Sequence, residues 1–274
     1  MIKINIKGTF IIILTTLLFS GKVVSQSKIE TVEKFFKVTK IDSEFSQINA
    51  VLDAKIEENK SLIKSEEEYI KFSDILKKSF NSEKATSYLK DYFLENQKEN
   101  NLIEIIELYD NPLMVKMSDY EQSFYDSKNK ENQIAFFNDM KANPPKQDRV
   151  KLLLKLNDVL KATEKTKILL ENIMLVFSES YNSILPKEEQ SNISVLEEKI
   201  KSELPKNFSQ QITNQFVAIG LYTYRLASDD DLKEYIKIWE TDLGVNYTNV
   251  AFKAYEVVFE KISSDLITNL NNAF

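Results

Sequence analysis

The sequence predicts an all-α protein, in the form of two similar antiparallel helical units in tandem after a cleaved signal peptide. Apolar residues beyond position 27 recur at spacings of three and four, the period of an amphipathic helix, and no strand-like alternation of useful length is present. The 274 residues include only 4 Gly and 5 Pro, so the chain has few of the turn residues that sandwiches and barrels use. Its hydrophobic fraction of 43% is sufficient for a folded core.

Residues 1–25 have the pattern of a secretory signal peptide. Two lysines precede the apolar run Phe10–Phe19, and small or polar residues follow up to a predicted cleavage site before Gln26. The run is well short of the roughly 20 apolar residues of a membrane span, although an uncleaved N-terminal anchor is the alternative. No cysteine follows it, which excludes a lipoprotein anchor. We therefore expect an exported chain with no membrane span after cleavage, periplasmic rather than extracellular.

Export would make the protein more acidic. The chain has 36 basic and 42 acidic residues, and cleavage would remove three lysines and no acid, which leaves a net charge of −9. The arginines are Arg149 and Arg225, whereas bidentate recognition of phosphates and bases prefers Arg over Lys. We therefore expect no nucleic-acid partner and no binding to anionic lipid surfaces.

The missing residue types exclude several classes of chemistry. Without His or Cys there is no thiol nucleophile, Ser-His-Asp relay, haem ligand, disulfide or ordinary zinc site. After residue 25 the glycines are Gly220 and Gly244, too few for a loop that cradles phosphates. The acidic runs Glu66–Glu68 and Asp229–Asp231 lie at predicted helix starts, where capping and the helix dipole explain them. The sequence therefore indicates no catalytic residue, no metal site and no bound cofactor.

Local signals divide the chain into helices. Helix starts are predicted at four residues that an acid follows three positions later: Ser65, Asn96, Ser194 and Ser228. Helix breaks are predicted at the prolines, which are Pro112, Pro144, Pro145, Pro186 and Pro205. The adjacent prolines 144 and 145 lie near the middle of the mature chain, so we divide it into units 28–142 and 148–274.

The two units have similar sequences. Leu102–Lys116 aligns without gaps on Leu232–Asn246, with identical Leu, Glu, Ile, Leu and Val at matching places. Upstream, Val32–Val38 matches Val150–Leu156 at a shorter offset, which places extra residues of the second unit near Leu185–Ile193. An internal repeat is the favoured interpretation, and chance similarity between amphipathic helices is the alternative.

Each unit resembles an exported all-helical family of Gram-negative proteins, the domain of unknown function (DUF) 2059. That family has a helix running into a motif of the type "FY.SP.G". Leu108–Met114 keeps the aromatic residue and the proline but has Met in place of Gly, and Ile238–Gly244 keeps the aromatic residue, a hydroxyl residue and the glycine but has Asp in place of Pro. The resemblance implies a helical fold and export, and it carries no activity or catalytic residues.

The same motif has a physical interpretation as a corner between two helices. One helix ends at Asp110 or Glu240, the residue after the aromatic, and the next begins with Pro112 at its first position or with Thr241 as its cap. We expect both aromatic residues to be buried where the helices meet. The predicted turn motif consists of Tyr109, Pro112, Trp239 and Gly244.

Tyrosines near the ends of two predicted helices form the candidate groove. Tyr92 matches Tyr222 in the register of the repeat, and Tyr224 and Arg225 follow. These residues are suited to contact a sugar or a peptide, and the alternative is that they fill the core with their polar ends at its edge. Arg225 is expected to pair either with the acids 229–231 or with the carbonyls that end its own helix.

Three functional hypotheses remain open from the sequence. The leading one is a non-enzymatic exported protein that binds another envelope protein or a small ligand, in a groove between the units. The second is a carboxylate-dependent glycan hydrolase, for which the sequence does not select a pair of acids. The third is a carrier that holds a lipid or a small ligand in a closed apolar cavity.

Overall fold

The computed structural model describes residues 25–43, 45, 56–57, 60, 65–183 and 185–273, and the predicted signal peptide lies outside them except for Ser25. These residues form helices without strands, which confirms the all-α prediction. The helices are α1 (Gln26–Thr39), α2 (Glu66–Ser79), α3 (Ser82–Asn96), α4 (Glu99–Tyr109), α5 (Pro112–Tyr125), α6 (Lys130–Ala142), α7 (Gln147–Leu160), α8 (Ala162–Ser183), α9 (Ile193–Glu203), α10 (Phe208–Thr223), α11 (Asp229–Glu240) and α12 (Asp242–Asn271).

Two of the four predicted helix starts are confirmed. The Ser65 side chain accepts a hydrogen bond from the backbone N–H of Glu68 at 3.1 Å, and α2 follows. Ser228 and Asp231 form a complete capping box at the start of α11, because each side chain accepts from the backbone N–H of the other. Each arrangement satisfies N–H groups that have no partner inside the helix.

The other two starts were wrong by a few residues. Asn96 is the last residue of α3, and its side-chain amide donates to the Tyr92 carbonyl inside that helix at 3.0 Å. Helix α9 is capped by Asn192 instead of Ser194, because the Asn192 side chain accepts from the backbone N–H of Val195 at 3.0 Å. In both cases the side chain of an asparagine, Asn96 or Asn192, forms a hydrogen bond with the nearby backbone, and the helix end lies elsewhere than predicted.

Helices from the first predicted unit pack against helices from the second. Helix α5 contacts α10 and α11, whereas α12 contacts α2 and α3 in the opposite direction. Within each unit, α1 contacts α3 and α4, just as α7 contacts α10 and α11. One hydrophobic core therefore includes Phe35 and Leu89 of the first unit and Leu153, Ile236 and Ile262 of the second.

Helices α5 and α12 each pack against the other unit, and we call them the exchanged helices. Hydrogen bonds and ion pairs hold them in place. Helix α5 is joined to α11 by Lys116 and Asp231 at 2.9 Å. Helix α12 is joined to α3 by the salt bridge of Lys84 with Asp265 at 2.5 Å. It is also joined to the segment after α1, because the Tyr255 hydroxyl donates to the Ile41 carbonyl at 2.6 Å. Helices α5 and α12 are thus each fixed to the other unit by polar contacts as well as by burial.

Helices α1 and α7 have the same length and the same end. Each has 14 residues, and each is followed by a lysine in the left-handed conformation, Lys40 with φ 49° and Lys161 with φ 51°. The buried Val32 of α1 occupies the place of Leu153 in α7, one helical turn beyond the match of Val32 with Val150. The buried positions of the two helices share a spacing that pairs Val32 with Leu153, whereas the predicted repeat pairs Val32 with Val150.

No helix in the described part of the chain is long and apolar enough to cross a membrane.

Candidate functional site

A cavity of about 480 Å³ is lined by residues of both α5 and α12, and we call it the central cavity. Its walls come from α5, α8, α10 and α12, and from the residues that follow α1. Its lining residues include Lys40, Glu121, Phe124, Phe216, Gly220, Thr223, Tyr224, Tyr247, Ala251 and Tyr255. The volume is within the range of about 300–1,000 Å³ that small-molecule sites occupy.

Glu121 is the acid of this cavity, and two tyrosines bind one of its oxygens. The hydroxyls of Tyr224 on α10 and Tyr235 on α11 each donate to Oε1 of Glu121 at 2.6 Å. Both tyrosines are buried, with exposed fractions of 6% and 2%. In the described part of the chain, Oε2 of Glu121 accepts no hydrogen bond. One oxygen of the carboxylate is thus saturated and the other is free to meet a ligand.

Burial controls the protonation of this cluster. Burial raises the pKa of Glu121, and the hydrogen bonds from Tyr224 and Tyr235 oppose that rise. Burial also raises the pKa of both tyrosines well above the ordinary value, and the nearby Glu121 carboxylate raises it further. The tyrosines therefore remain hydrogen-bond donors, and they stabilise the charged form of the glutamate.

Thr223 adds a second polar group to the wall. Its side chain is 5% exposed, and its hydroxyl has no hydrogen-bond partner within the described structure. Burying a hydroxyl without a partner costs about 1–3 kcal/mol. The hydroxyl oxygen is closed to water in this structure, so a ligand in the cavity would bond it, and remove that cost, when the Thr223 side chain rotates.

Neighbouring helices position these side chains through local sequence features. Asn111 caps α5 by accepting from the backbone N–H of Leu113 at 2.8 Å, and Pro112 is the first helical residue. Glu121 follows one turn after the fully buried Met117, so it lies on the inner face of α5. Gly220 brings α10 close to α7, since a Cβ there would be 2.8 Å from Cδ2 of Leu153.

The candidate groove from the sequence is divided between three places. Tyr224 lines the central cavity. Tyr222 lies outside it, packed against Phe136 with ring centres 5.3 Å apart, and its hydroxyl has no partner among the described residues. Tyr92 lies on α3, where the charged groups that act on it are Lys253 and Glu256 of α12.

Arg225 follows one of its two expected pairings. Its guanidinium lies 3.9 Å from the ring centre of Tyr222 and donates to the Tyr222 carbonyl at 2.8 Å, which is the pairing with its own helix end. The acidic segment instead binds Arg149, which contacts Asp229 at 2.7 Å and donates to the Tyr224 carbonyl at 2.6 Å. Arg149 therefore holds the turn between α10 and α11.

The residues of the turn motif form the two corners. Helix α4 ends at Tyr109 before Pro112, and α11 ends one residue after Trp239, with Thr241 capping α12. Tyr109 is half-buried and Trp239 is buried. Gly244 is required by close packing, because a Cβ there would lie 2.6 Å from the Ile238 carbonyl oxygen.

Sequence reasoning missed Glu121, Thr223 and Tyr235. A signal for Glu121 was present, because an acid interrupts the apolar stripe between Met117 and Phe124 on α5. No comparable local signal marks Thr223 or Tyr235, since a threonine or a tyrosine on a helix is compatible with a core position.

The described residues that line the central cavity include one acid, Glu121. A glycosidase of the usual kind needs two carboxylates flanking the scissile bond. Elsewhere in the described residues, no group of three or more acids is arranged to hold a metal ion. The arrangement is suited to hold a ligand by one carboxylate, a hydroxyl and aromatic walls.

No protein-family model matches the chain, and no curated protein or solved structure is significantly similar to it.

Proposed function

We propose that the protein is an exported, non-enzymatic helical protein of the cell envelope that binds a small ligand in its central cavity. The observation that carries this proposal is the combination of a cavity of about 480 Å³ with the free oxygen of Glu121 and the unpartnered hydroxyl of Thr223 in its wall. Polar groups without partners in the wall of a cavity are a feature of ligand sites, where the ligand completes their hydrogen bonds.

The proposal includes two repeated units, 28–142 and 148–274. It is supported by the equivalent packing of α1 on α4 and of α7 on α11, and by the reciprocal exchange of α5 and α12. When the register of the repeat is continued, Glu121 of α5 corresponds to Ala251 of α12, and both line the central cavity. A small residue at one of the two equivalent places leaves room for a ligand beside the carboxylate at the other.

Export and kinship with the DUF 2059 family remain part of the proposal. The apolar run Phe10–Phe19 supports export, and α1 begins at Gln26, the residue after the predicted cleavage site. Mass spectrometry of the protein from the periplasmic fraction of a Gram-negative host should give an N-terminus at Gln26. A chain that retains Met1 in the membrane fraction would overturn export and support the uncleaved anchor.

A small ligand is favoured over the other two hypotheses. A cavity of this volume is suited to a drug-sized molecule, whereas a diacyl lipid would need a larger apolar space. Among the described lining residues, Glu121 is the one acid. The cavity therefore lacks, in that part of the chain, the pair of carboxylates that a glycan hydrolase needs.

Native mass spectrometry of the purified mature chain tests ligand binding. The wild type should carry a small molecule that is released on denaturation. Ala251→Leu fills the cavity and should lose that molecule, whereas Ser264→Leu, an exposed position on the same helix, should retain it. A wild type that carries no ligand, or an Ala251→Leu variant that carries as much as the wild type, would contradict the proposal.

A further inference from the structure

The central cavity holds a carboxylate that lacks a counter-charge. In the described part of the chain, no lysine or arginine forms an ion pair with Glu121, and no basic group contributes to the shift of its pKa. The hydrogen bonds from Tyr224 and Tyr235 both go to Oε1, so Oε2 is free. Glu121 is half-buried, and burial raises its pKa and so disfavours the charged form. A cation bound at Oε2 would stabilise that charged form.

The rest of the wall is suited to the body and the head of an organic cation. Aromatic side chains from three helices line it, among them Phe124 of α5, Phe216 of α10 and Tyr255 of α12. Ring faces attract cations, and aromatic walls also bury apolar groups. The hydroxyl of Thr223 has a free acceptor site for an N–H group.

Lys40 is the basic residue among the described lining residues, and it is exposed to solvent. Water and salt screen an exposed ammonium group, so it opposes a bound cation less than the half-buried carboxylate of Glu121 attracts it.

We infer that the central cavity binds a primary organic ammonium ion with an apolar body, held by Oε2 of Glu121 and the hydroxyl of Thr223. The inference rests on the proposed ligand-binding function and names the class of its ligand. A primary ammonium group is favoured over a quaternary one because it has three N–H donors, which match two free acceptors in the wall. A quaternary ammonium group would leave both acceptors without hydrogen bonds.

Calorimetric titration with a series of probes of similar shape tests the inference. The probes are 2-phenylethylammonium, its trimethylated quaternary analogue, 2-phenylethanol and 3-phenylpropionate. The wild type should bind the primary ammonium at least about tenfold more tightly than each of the others, since a hydrogen bond to a charged group is typically worth a factor of this size.

Variants assign the binding to the named atoms. Glu121→Gln retains an oxygen for the two tyrosines but removes the charge. The variant should bind 2-phenylethylammonium at least about tenfold more weakly than the wild type, with no change in its affinity for 2-phenylethanol. Thr223→Val should weaken it by about three- to tenfold. Ala251→Leu should abolish binding of the whole series, and Ser264→Leu should change nothing. If Glu121→Gln does not fold, the affinities of Thr223→Val and of the wild type for the probe series test the inference.

The possible outcomes separate the inference from the proposed function. The inference of an ammonium ligand is overturned if the wild type binds the alcohol as tightly as the ammonium, or if Glu121→Gln binds the ammonium as tightly as the wild type. Ligand binding in the cavity would still stand in either case. If the ammonium does not bind at millimolar concentration, the inference also fails, although a co-purified ligand would still support the proposed function. Undiminished binding to Ala251→Leu would overturn both.

Discussion

The hydroxyl of Tyr235 lies 2.6 Å from Oε1 of Glu121 and joins α11 to α5. The two residues are 114 positions apart in the chain, and they belong to different predicted units. Their contact lies at the wall of the central cavity, beside a second identical contact from Tyr224. This cluster therefore combines a structural contact between the units with the charge proposed to bind a ligand.

Tyr235→Phe should destabilise the protein by about 1.5–3 kcal/mol at neutral pH, because it removes a hydrogen bond to a charged group. The loss should become smaller at acidic pH, where Glu121 is protonated. Tyr255→Phe is the matched control, since its hydroxyl donates to the neutral carbonyl of Ile41, and its cost of about 1 kcal/mol should not vary with pH. Urea unfolding at several pH values measures both, and equal pH dependence of the two variants would contradict the role of Glu121.

Glu121→Gln should stabilise the ligand-free protein at neutral pH. Burial raises the pKa of Glu121 in the folded state, so the folded state binds the proton more tightly than the unfolded state. The resulting cost is absent below the unfolded pKa, develops as the pH rises to the folded pKa, and is complete above it. The variant should therefore unfold at a higher temperature than the wild type at pH 7.

The difference in unfolding temperature between wild type and Glu121→Gln should disappear on acidification below the ordinary pKa of a glutamate. Thermal unfolding followed by circular dichroism over that pH range is the measurement. A lower unfolding temperature for the variant at pH 7 would show that the charge stabilises the fold and is compensated within it.

Gly244→Ala should destabilise the protein by about 1–3 kcal/mol, although alanine is the better helix former. The added Cβ would lie 2.6 Å from the Ile238 carbonyl oxygen and 2.8 Å from Cα of Trp239, and backbone atoms cannot move aside without shifting α11 against α12. Gly220→Ala is the matched control, because its Cβ would meet a side-chain methyl of Leu153. Equal unfolding free energies for wild type and Gly244→Ala would refute the close packing of this corner.

Asp231 should make the junction of α5 and α11 sensitive to strong acid. Hydrogen bonds from Lys116 and Ser228 lower the pKa of Asp231 to about 2. Since the folded-state pKa is depressed, the stabilisation is present above the ordinary pKa and is lost as the pH falls through about 2. Asp231→Asn should remove this part of the acid dependence. Asp230→Asn, which removes only an exposed contact with Lys233, should leave it unchanged; acid unfolding curves that coincide for wild type and Asp231→Asn would contradict the prediction.

Local sequence signals determined the helices and most of their ends. Ser65, Ser228 and Pro112 mark helix starts because capping and a fixed φ angle act within one turn of the chain, and no distant residue takes part. The same local chemistry explains the errors, since asparagine competes with serine for caps. This competition moved the start of α9 from Ser194 to Asn192.

The predictions that no observation tests remain predictions. Export, the resemblance to DUF 2059 and the repeat itself belong to this group, and each depends on residues or relationships outside the described geometry.

The sequence by itself determined that this is a helical protein, where several of its helices begin, and which chemistry its missing His and Cys exclude. Only the tertiary structure decided that α5 and α12 exchange between the units, and that Glu121 meets Tyr224 and Tyr235 in the wall of a cavity. The physical reason is that helical periodicity defines an apolar face without specifying its partner. Burial of those faces in one core selects the partner, and it brings together side chains from α5, α10 and α11 that have no local relation to each other.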